Sequence, residues 1–387
     1  MLCTVISRIR KSDESMDFVT GVVVGVVLGV GLSQAFKHMK PDRERREKFV
    51  QPFLNKISPS KGPKVVAIGG GTGLSTLLRG LKLYTPNITA VVTVADDGGS
   101  SGMLRQDLGI LPPGDIRNCI LALANVEPIM EKLLQYRFKE GSLKGQNLGN
   151  LLIAAMVDMA DGFVNAIKAV SSVLAVTGRV LPVSLENVHL VATLEDGTVI
   201  HGESSIPEQQ IQKNSPIREV SMDNPDCRAL PDVIEAIEDA DVVVLGPGSL
   251  YTSIIPNIIV REVAEVLRRS TALKIYVCNV MTQPGETTDY SVVDHVNAII
   301  KHGGTDIIDV VIVNRSDFPD DLLKKYRLKG ASPVDCSDLH KLRDMGIEYV
   351  QADLADFSSG LIRHNPQKLA QEVIRVFEEK SKTQNAE

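Results

Sequence analysis

Lys64 to Gly80 reads KVVAIGGGTGLSTLLRG: an apolar run Val65-Val66-Ala67-Ile68, then Gly69-Gly70-Gly71-Thr72-Gly73, then leucines at helical spacing. A short strand apolar on both faces suits the centre of a parallel sheet covered on both sides. Glycines at a strand-to-helix junction remove Cβ atoms, permit positive φ and let backbone N–H groups approach an anion at the helix N-terminus. Two readings follow for Gly70, Gly71, Thr72 and Gly73: a phosphate cradle, or a turn that allows tight strand-helix packing. The loop is not a Walker motif, because no lysine occurs before Arg79. It also departs from the dinucleotide fingerprint, since Thr76 stands where the third glycine of GxGxxG would be.

Working outward, the same rhythm repeats. Apolar runs ITAVVTVA from Ile88, DVVVLG from Asp241, LKIYVCNV from Leu273, IIDVVIVN from Ile307 and EYVQADL from Glu348 alternate with helical stretches. That is the pattern of an α/β fold with a doubly wound, Rossmann-like parallel sheet. Between residues 179 and 222 the pattern changes to alternating strands around Asp196-Gly197, which predicts a small antiparallel insertion with a hairpin turn. The chain of 387 residues is long enough for a large core, and its net charge of -6 argues against a general nucleic-acid binder. Its five cysteines are far apart and without a CxxC, so they suggest neither a disulfide framework nor a zinc site.

The N-terminal part reads separately. Phe18 to Phe36 is a run of 19 uncharged residues, close to the roughly 20 needed to cross a bilayer. The basic residues after it (Lys37, Lys40, Arg43, Arg45, Arg46, Lys48) outnumber Arg8, Arg10 and Lys11 before it, which puts the large domain in the cytoplasm by the positive-inside rule. Gly21, Gly25 and Gly29 form a small-xxx-small face that would let two such helices approach, one reason to expect a homo-oligomer. The expected organisation is a tethering segment over 1–40 with a transmembrane helix at 18–36, a linker over 41–62 and one nucleotide-binding domain over 63–380.

In an open α/β sheet, ligands bind beyond the carboxyl ends of the strands, so the loops there carry the functional reading. The second strand ends in Asp96-Asp97-Gly98-Gly99-Ser100-Ser101-Gly102, the third in Gly246-Pro247-Gly248-Ser249, the fourth in Asn279-Val280-Met281-Thr282-Gln283-Pro284-Gly285-Glu286-Thr287 and the fifth in Asn314-Arg315-Ser316. Gly98, Gly99, Ser100 and Ser101 offer N–H and hydroxyl donors for a diphosphate. Asp96 and Asp97 stand where an acid hydrogen-bonds a ribose hydroxyl, or where a carboxylate pair holds Mg²⁺ with substrate phosphates; either also suits a turn. Arg117 and Asn118 face phosphates or form a structural pair. Asp115 reads as a helix cap, Asn147, Gly149 and Asn150 as a cap or a sugar-facing loop with capping preferred, and His295, the histidine most suited to act as a base, as a packing residue on an apolar helix.

GGGTG, VADDGGSSG, LPPGDIRN, GPGSLYTSIIPN and NVMTQPGET, in that order between Lys64 and Glu378, resemble the gluconeogenesis factor (YvcK) branch of the CofD-like family. The resemblance implies a Rossmann-like domain that binds a UDP-sugar such as UDP-N-acetylglucosamine, with nucleotide recognition at Asn279 and Thr282 and a second glycine loop at Gly246, Gly248 and Ser249. It further implies a regulatory role in cell-wall synthesis and cell shape during gluconeogenic growth, with cell-wall or shape-determining proteins as partners. The other branch of the family, 2-phospho-L-lactate transferase, implies an alternative: a Mg²⁺-dependent phospho-group transferase with Asp96 and Asp97 near the metal. No nucleophile with an adjacent base is visible in the sequence, so no catalytic residue is assigned and a non-catalytic nucleotide-sugar sensor is the preferred expectation.

Overall fold

A computed structural model describes residues 62–384. The segment Phe18 to Phe36 and the linker before Gly62 lie outside the described residues. Among the described residues no helix is long and apolar enough to cross a membrane.

All six apolar runs form strands. They are β1 (Val65–Gly69), β2 (Ile88–Val92), β7 (Val242–Leu245), β8 (Leu273–Val277), β9 (Val310–Asn314) and β10 (Glu348–Ala352). With β3 (Arg179–Pro182) they make a seven-stranded sheet in the order β10-β9-β8-β7-β1-β2-β3, in which every pairing is parallel. Every residue of β1, β2 and β7 is buried, so both faces of the centre of the sheet are covered, as continuous apolar runs require. The chain winds outward from β1 to β2 and β3, then returns to the other side of β1 with β7. The reversal of strand order therefore lies between β1 and β7.

The antiparallel insertion is present but starts later than the alternation suggested. Arg179–Pro182, which the sequence assigned to it, pairs parallel with β2 as the edge of the main sheet. Four residues carry too little pattern to separate the two cases. The insertion itself is β4 (Leu190–Leu194), β5 (Val199–His201) and β6 (Ile217–Met222), a three-stranded sheet in the order β5-β4-β6. Its hairpin turns at Asp196-Gly197: Gly197 has φ +85, its N–H donates to the Leu194 carbonyl, and the Asp196 carboxylate accepts from the Thr198 N–H at 2.8 Å. A short antiparallel pair, β11 (Ala355–Asp356) with β12 (Arg363–His364), brings the chain back toward the carboxyl ends of the central strands.

Five helices position the site. α1 (Gly71–Leu81) leaves β1 directly, α2 (Gly99–Leu108) follows β2, and α3 (Gly114–Leu123), α4 (Leu148–Met159) and α5 (Pro366–Gln384) complete the surround. α1 buries Leu74, Leu77, Leu78 and Leu81, and packs against α3 and α5. Burial of four leucines at about 1.5–3 kcal/mol each holds this helix against the sheet, so its N-terminus is a fixed element.

Candidate functional site

α1 begins immediately beyond β1, and Gly70 at its N-cap carries no side-chain cap. The first N–H groups of a helix have no partner within it, so this end of α1 offers donors and a positive dipole end. Gly71 has φ +60, a left-handed conformation that glycine adopts without strain. Gly73 serves a different purpose. A Cβ there would stand 2.7 Å from the Pro247 carbonyl carbon and 2.8 Å from Gly248 Cα, so its missing side chain lets the loops after β1 and β7 meet.

Two cavities flank this junction. One, of about 390 Å³, is lined by Thr72, Gly73, Gly248, Ser249, Asn279 and Thr282, with apolar walls from Val280, Met281, Pro284, Tyr326 and Ile362. The other, of about 400 Å³, is lined by Thr72, Thr76 and Asn118 with four arginines, Arg79, Arg117, Arg137 and Arg363. Thr72, Thr76 and Arg363 belong to both. A largely apolar chamber and an arginine-lined one thus meet at the N-terminus of α1.

The arginines are oriented by the protein. Arg117 donates Nη1 to Asn150 Oδ1 at 2.6 Å and Nη2 to Asn118 Oδ1 at 2.9 Å, while its buried Nε has no partner. Arg79 is paired with Glu131, and Arg137 donates to the Gly145 carbonyl. Asn147 caps α4 by accepting from the Asn150 N–H, as its place before the apolar helix suggested.

Asp115 is a correction to the sequence reading. The N-cap of α3 is Pro113, and Asp115 lies inside the first turn, reaching across to the Gly71 N–H instead of capping its own helix. A Cβ on Gly70 would stand 2.5 Å from its Oδ2. Desolvation, with the neighbouring Asp96 charge, pushes its carboxyl up to about 7. Glu203, on the insertion, also faces this group; burial first, then Asp96 and Asp115, push it up to about 9.

The acidic pair does not converge. Asp96 Oδ1 accepts from the Gly98 N–H at 2.9 Å, whereas Asp97 Oδ1 accepts from the Ser204 N–H at 2.9 Å and so ties the loop after β2 to the insertion. The carboxylate that accompanies Asp96 is Asp115. Ser100 and Ser101 face inward: Ser100 Oγ donates to Gln146 Oε1 and accepts from the Asn147 N–H, and Ser101 Oγ accepts from the Gly114 N–H. Neither cavity is lined by Asp96, Asp97, Gly98, Gly99, Ser100, Ser101, Gly70, Gly71 or Gly246. Asn279 clamps the second glycine loop, its Nδ2 donating to the Gly248 carbonyl at 2.7 Å and its Oδ1 accepting from the Gly248 N–H at 3.3 Å. The Thr282 hydroxyl accepts from the Ser332 N–H at 2.9 Å.

Sequence reasoning passed over Gln283 and Glu286. Glu286 is buried and accepts from the Tyr251 N–H, Thr252 Oγ1 and Gln283 Nε2, and desolvation pushes it up to about 7. It lay inside a quoted motif, but nothing local marked it as an acceptor for the turn that follows β7. Tyr251 is buried against Tyr290, and His295 is buried with Nδ1 on the Ser291 carbonyl, a packing role. Burial pushes the Cys119 and Cys278 thiols up, which makes them inert.

The family described as 2-phospho-L-lactate transferase CofD matches residues 65–355. The gluconeogenesis factor of Bacillus subtilis is 46% identical over 318 residues, covering 82% of this chain and 99% of that one. A Clostridium acetobutylicum relative is 54% identical over 320 residues, 83% of this chain and 71% of its own. The crystal structure of a UPF0052-family protein from Bacillus halodurans superposes with a TM-score of 0.77 at 46% identity, covering 81% of this chain and 99% of that chain. With that coverage and the strand order that brings the two glycine loops together, the chain belongs to the CofD family, among the relatives named gluconeogenesis factor.

Proposed function

We propose that this protein binds a UDP-sugar such as UDP-N-acetylglucosamine and acts as a regulator that supports cell-wall synthesis and cell shape, without turnover of the ligand. One observation carries the reading: an apolar chamber and an arginine-lined chamber, each about 400 Å³ or slightly less, meet at the N-terminus of α1, where Asp115 takes the Gly71 N–H and the N–H groups of Thr72 and Gly73 follow it, at the reversal of strand order. That layout matches a nucleoside on the apolar side, a diphosphate at the helix end, and a polar sugar among the arginines. Binding alone suffices for a sensor whose bound form differs in its affinity for a protein partner.

The alternative is a Mg²⁺-dependent phospho-group transferase, although among the described residues no group of three or more His, Cys, Asp or Glu side chains is placed to hold a metal ion. Asp96 and Asp115, not Asp96 and Asp97, are the carboxylates that would hold Mg²⁺ together with ligand phosphates. A bound cation would supply charge neutralisation on the phosphoryl oxygens. The divergence of Asp97 toward Ser204 favours the regulatory reading over a transferase that uses the acid pair. We extend the proposal to a membrane tether through Phe18 to Phe36, with the fold on the cytoplasmic side and self-association through the glycine face of that segment.

Chromatography of UDP, UMP and sugar phosphate after incubation of the protein with Mg²⁺ and UDP-N-acetylglucosamine separates the readings, with thermal shift reporting binding in parallel. Stabilisation without product supports the regulator. Steady conversion that is lost in Asp96→Asn would establish the transferase, and stabilisation by NAD but not by UDP-sugars would refute the ligand class.

A further inference from the structure

The loop after β8 and the turn after β7 are joined by a chain of hydrogen bonds whose polarity can be assigned end to end. Glu286 Oε2 accepts from the Tyr251 N–H at 3.2 Å, and its Oε1 accepts from Thr252 Oγ1 at 3.0 Å and from Gln283 Nε2 at 2.5 Å. The Tyr251 N–H can only donate, and with Glu286 ionised both carboxylate oxygens can only accept. This fixes the orientation of the Gln283 amide: its NH₂ faces Glu286, and its carbonyl oxygen faces Ser249. Ser249 Oγ stands 2.7 Å from that carbonyl oxygen, which has no proton to give. The single hydroxyl proton of Ser249 is therefore committed to Gln283, and what remains on Oγ is a pair of acceptor lone pairs.

Ser249 and Gln283 both line the apolar chamber and both are half-buried, so this oxygen is within reach of a ligand there. A phosphate oxygen at neutral pH is also an acceptor and would meet those lone pairs unfavourably. Ser249 thus sits beside the N-terminus of α1 but is not a donor to the diphosphate, the role its glycine loop suggested. Its complement must carry a proton. The apolar walls at Val280, Met281 and Pro284 make this the nucleoside side of the crevice, and the donors that a nucleoside presents next to its diphosphate are ribose hydroxyls.

We infer that Ser249, held as a pure acceptor by Gln283 and Glu286, is a specificity residue that receives a hydrogen bond from a ribose hydroxyl and so selects ribonucleotides over deoxyribonucleotides. The inference deepens the UDP-sugar reading and rests on it. A neutral hydrogen bond of this kind corresponds to a preference of about three- to tenfold.

The test is calorimetric titration of the protein at pH 8, above the value of about 7 to which Glu286 is raised, so that the carboxylate is ionised. UDP-N-acetylglucosamine is compared with its 2′-deoxyribo, 3′-deoxyribo and N3-methyluracil analogues. The wild-type protein should bind one deoxyribo analogue about three- to tenfold more weakly. Ser249→Ala should remove that difference while retaining binding of the ribonucleotide. Gln283→Leu, which frees the Ser249 proton, should narrow it. Equal affinity for all the ribose forms, or a preference that survives in Ser249→Ala, would overturn the inference while leaving the UDP-sugar reading in place. Discrimination against the N3-methyl analogue alone would overturn the ribose assignment, and absence of any UDP-sugar binding would overturn both readings.

Discussion

Gly73→Ala separates the two explanations of the first glycine loop. The added methyl carbon would meet backbone on the opposite loop, 2.7 Å from the Pro247 carbonyl carbon and 2.8 Å from Gly248 Cα. Carbon atoms prefer about 3.5–4.0 Å, so the loops would have to part by roughly 1 Å. Backbone cannot yield as the end of a flexible side chain does, and overpacking of this kind costs about 1–3 kcal/mol or more. The control is Gly71→Ala, where the new atom meets nothing closer than 3.6 Å and only the left-handed φ of +60 is penalised, at about 1–2 kcal/mol. Urea unfolding measures both costs, and titration with UDP-N-acetylglucosamine measures their functional share. Gly73→Ala should lose stability and also affinity, because the Gly248 side of the crevice is displaced, whereas Gly71→Ala should lose stability with a smaller loss of binding. Wild-type stability and affinity in Gly73→Ala would refute the meeting of loops as the reason for this glycine.

Three further outcomes are expected. Asp115 has a folded-state pKa of about 7 against an ordinary 3.8, so folding favours its protonated form; its ionisation is destabilising above about pH 7 and that penalty fades as pH falls toward 4. Asp115→Asn should therefore raise the melting temperature of the unliganded protein at pH 8 and flatten, without abolishing, its dependence on pH between 4 and 7, since Glu286 contributes in the same direction; an unchanged profile would contradict the assignment. Arg117→Ala should weaken UDP-sugar binding by about ten- to hundredfold, the range for a lost charged hydrogen bond to the sugar; unchanged affinity would place the sugar elsewhere. Deletion of residues 1–40 should move the protein from the membrane fraction to the soluble fraction with UDP-sugar affinity unchanged, and retention at the membrane would refute Phe18 to Phe36 as the only anchor.

The strands of the main sheet were legible because a central parallel strand is apolar on both faces, and VVAI, DVVVLG and IIDVVIVN carry that signature without help from context. β3 was not, because RVLP is short and ends where the alternating segment begins. The glycine loops after β1 and β7 could also be picked out, but the strand order that makes their junction the point of reversal could not. Nor could the roles within the crevice. Asp115 looked like a cap because PPGD precedes a helix, yet Pro113 takes the cap position and the carboxylate crosses to another loop. Asn279 looked like a ligand donor, but its amide is engaged on both sides of the Gly248 peptide. Arg79, Arg117, Arg137 and Arg363 come from four separate elements, so no local spacing announces the chamber they line. Sequence locates what depends on neighbours along the chain, whereas hydrogen-bond direction depends on neighbours across it.

A crystal structure of the protein with UDP-N-acetylglucosamine tests the central claim most directly. The account predicts the diphosphate at the N-terminus of α1, within hydrogen-bond distance of the Thr72 and Gly73 N–H groups, with uracil in the chamber walled by Val280, Met281 and Pro284 and the sugar toward Arg117. A diphosphate bound away from α1, or a uracil seated among the arginines, would contradict it.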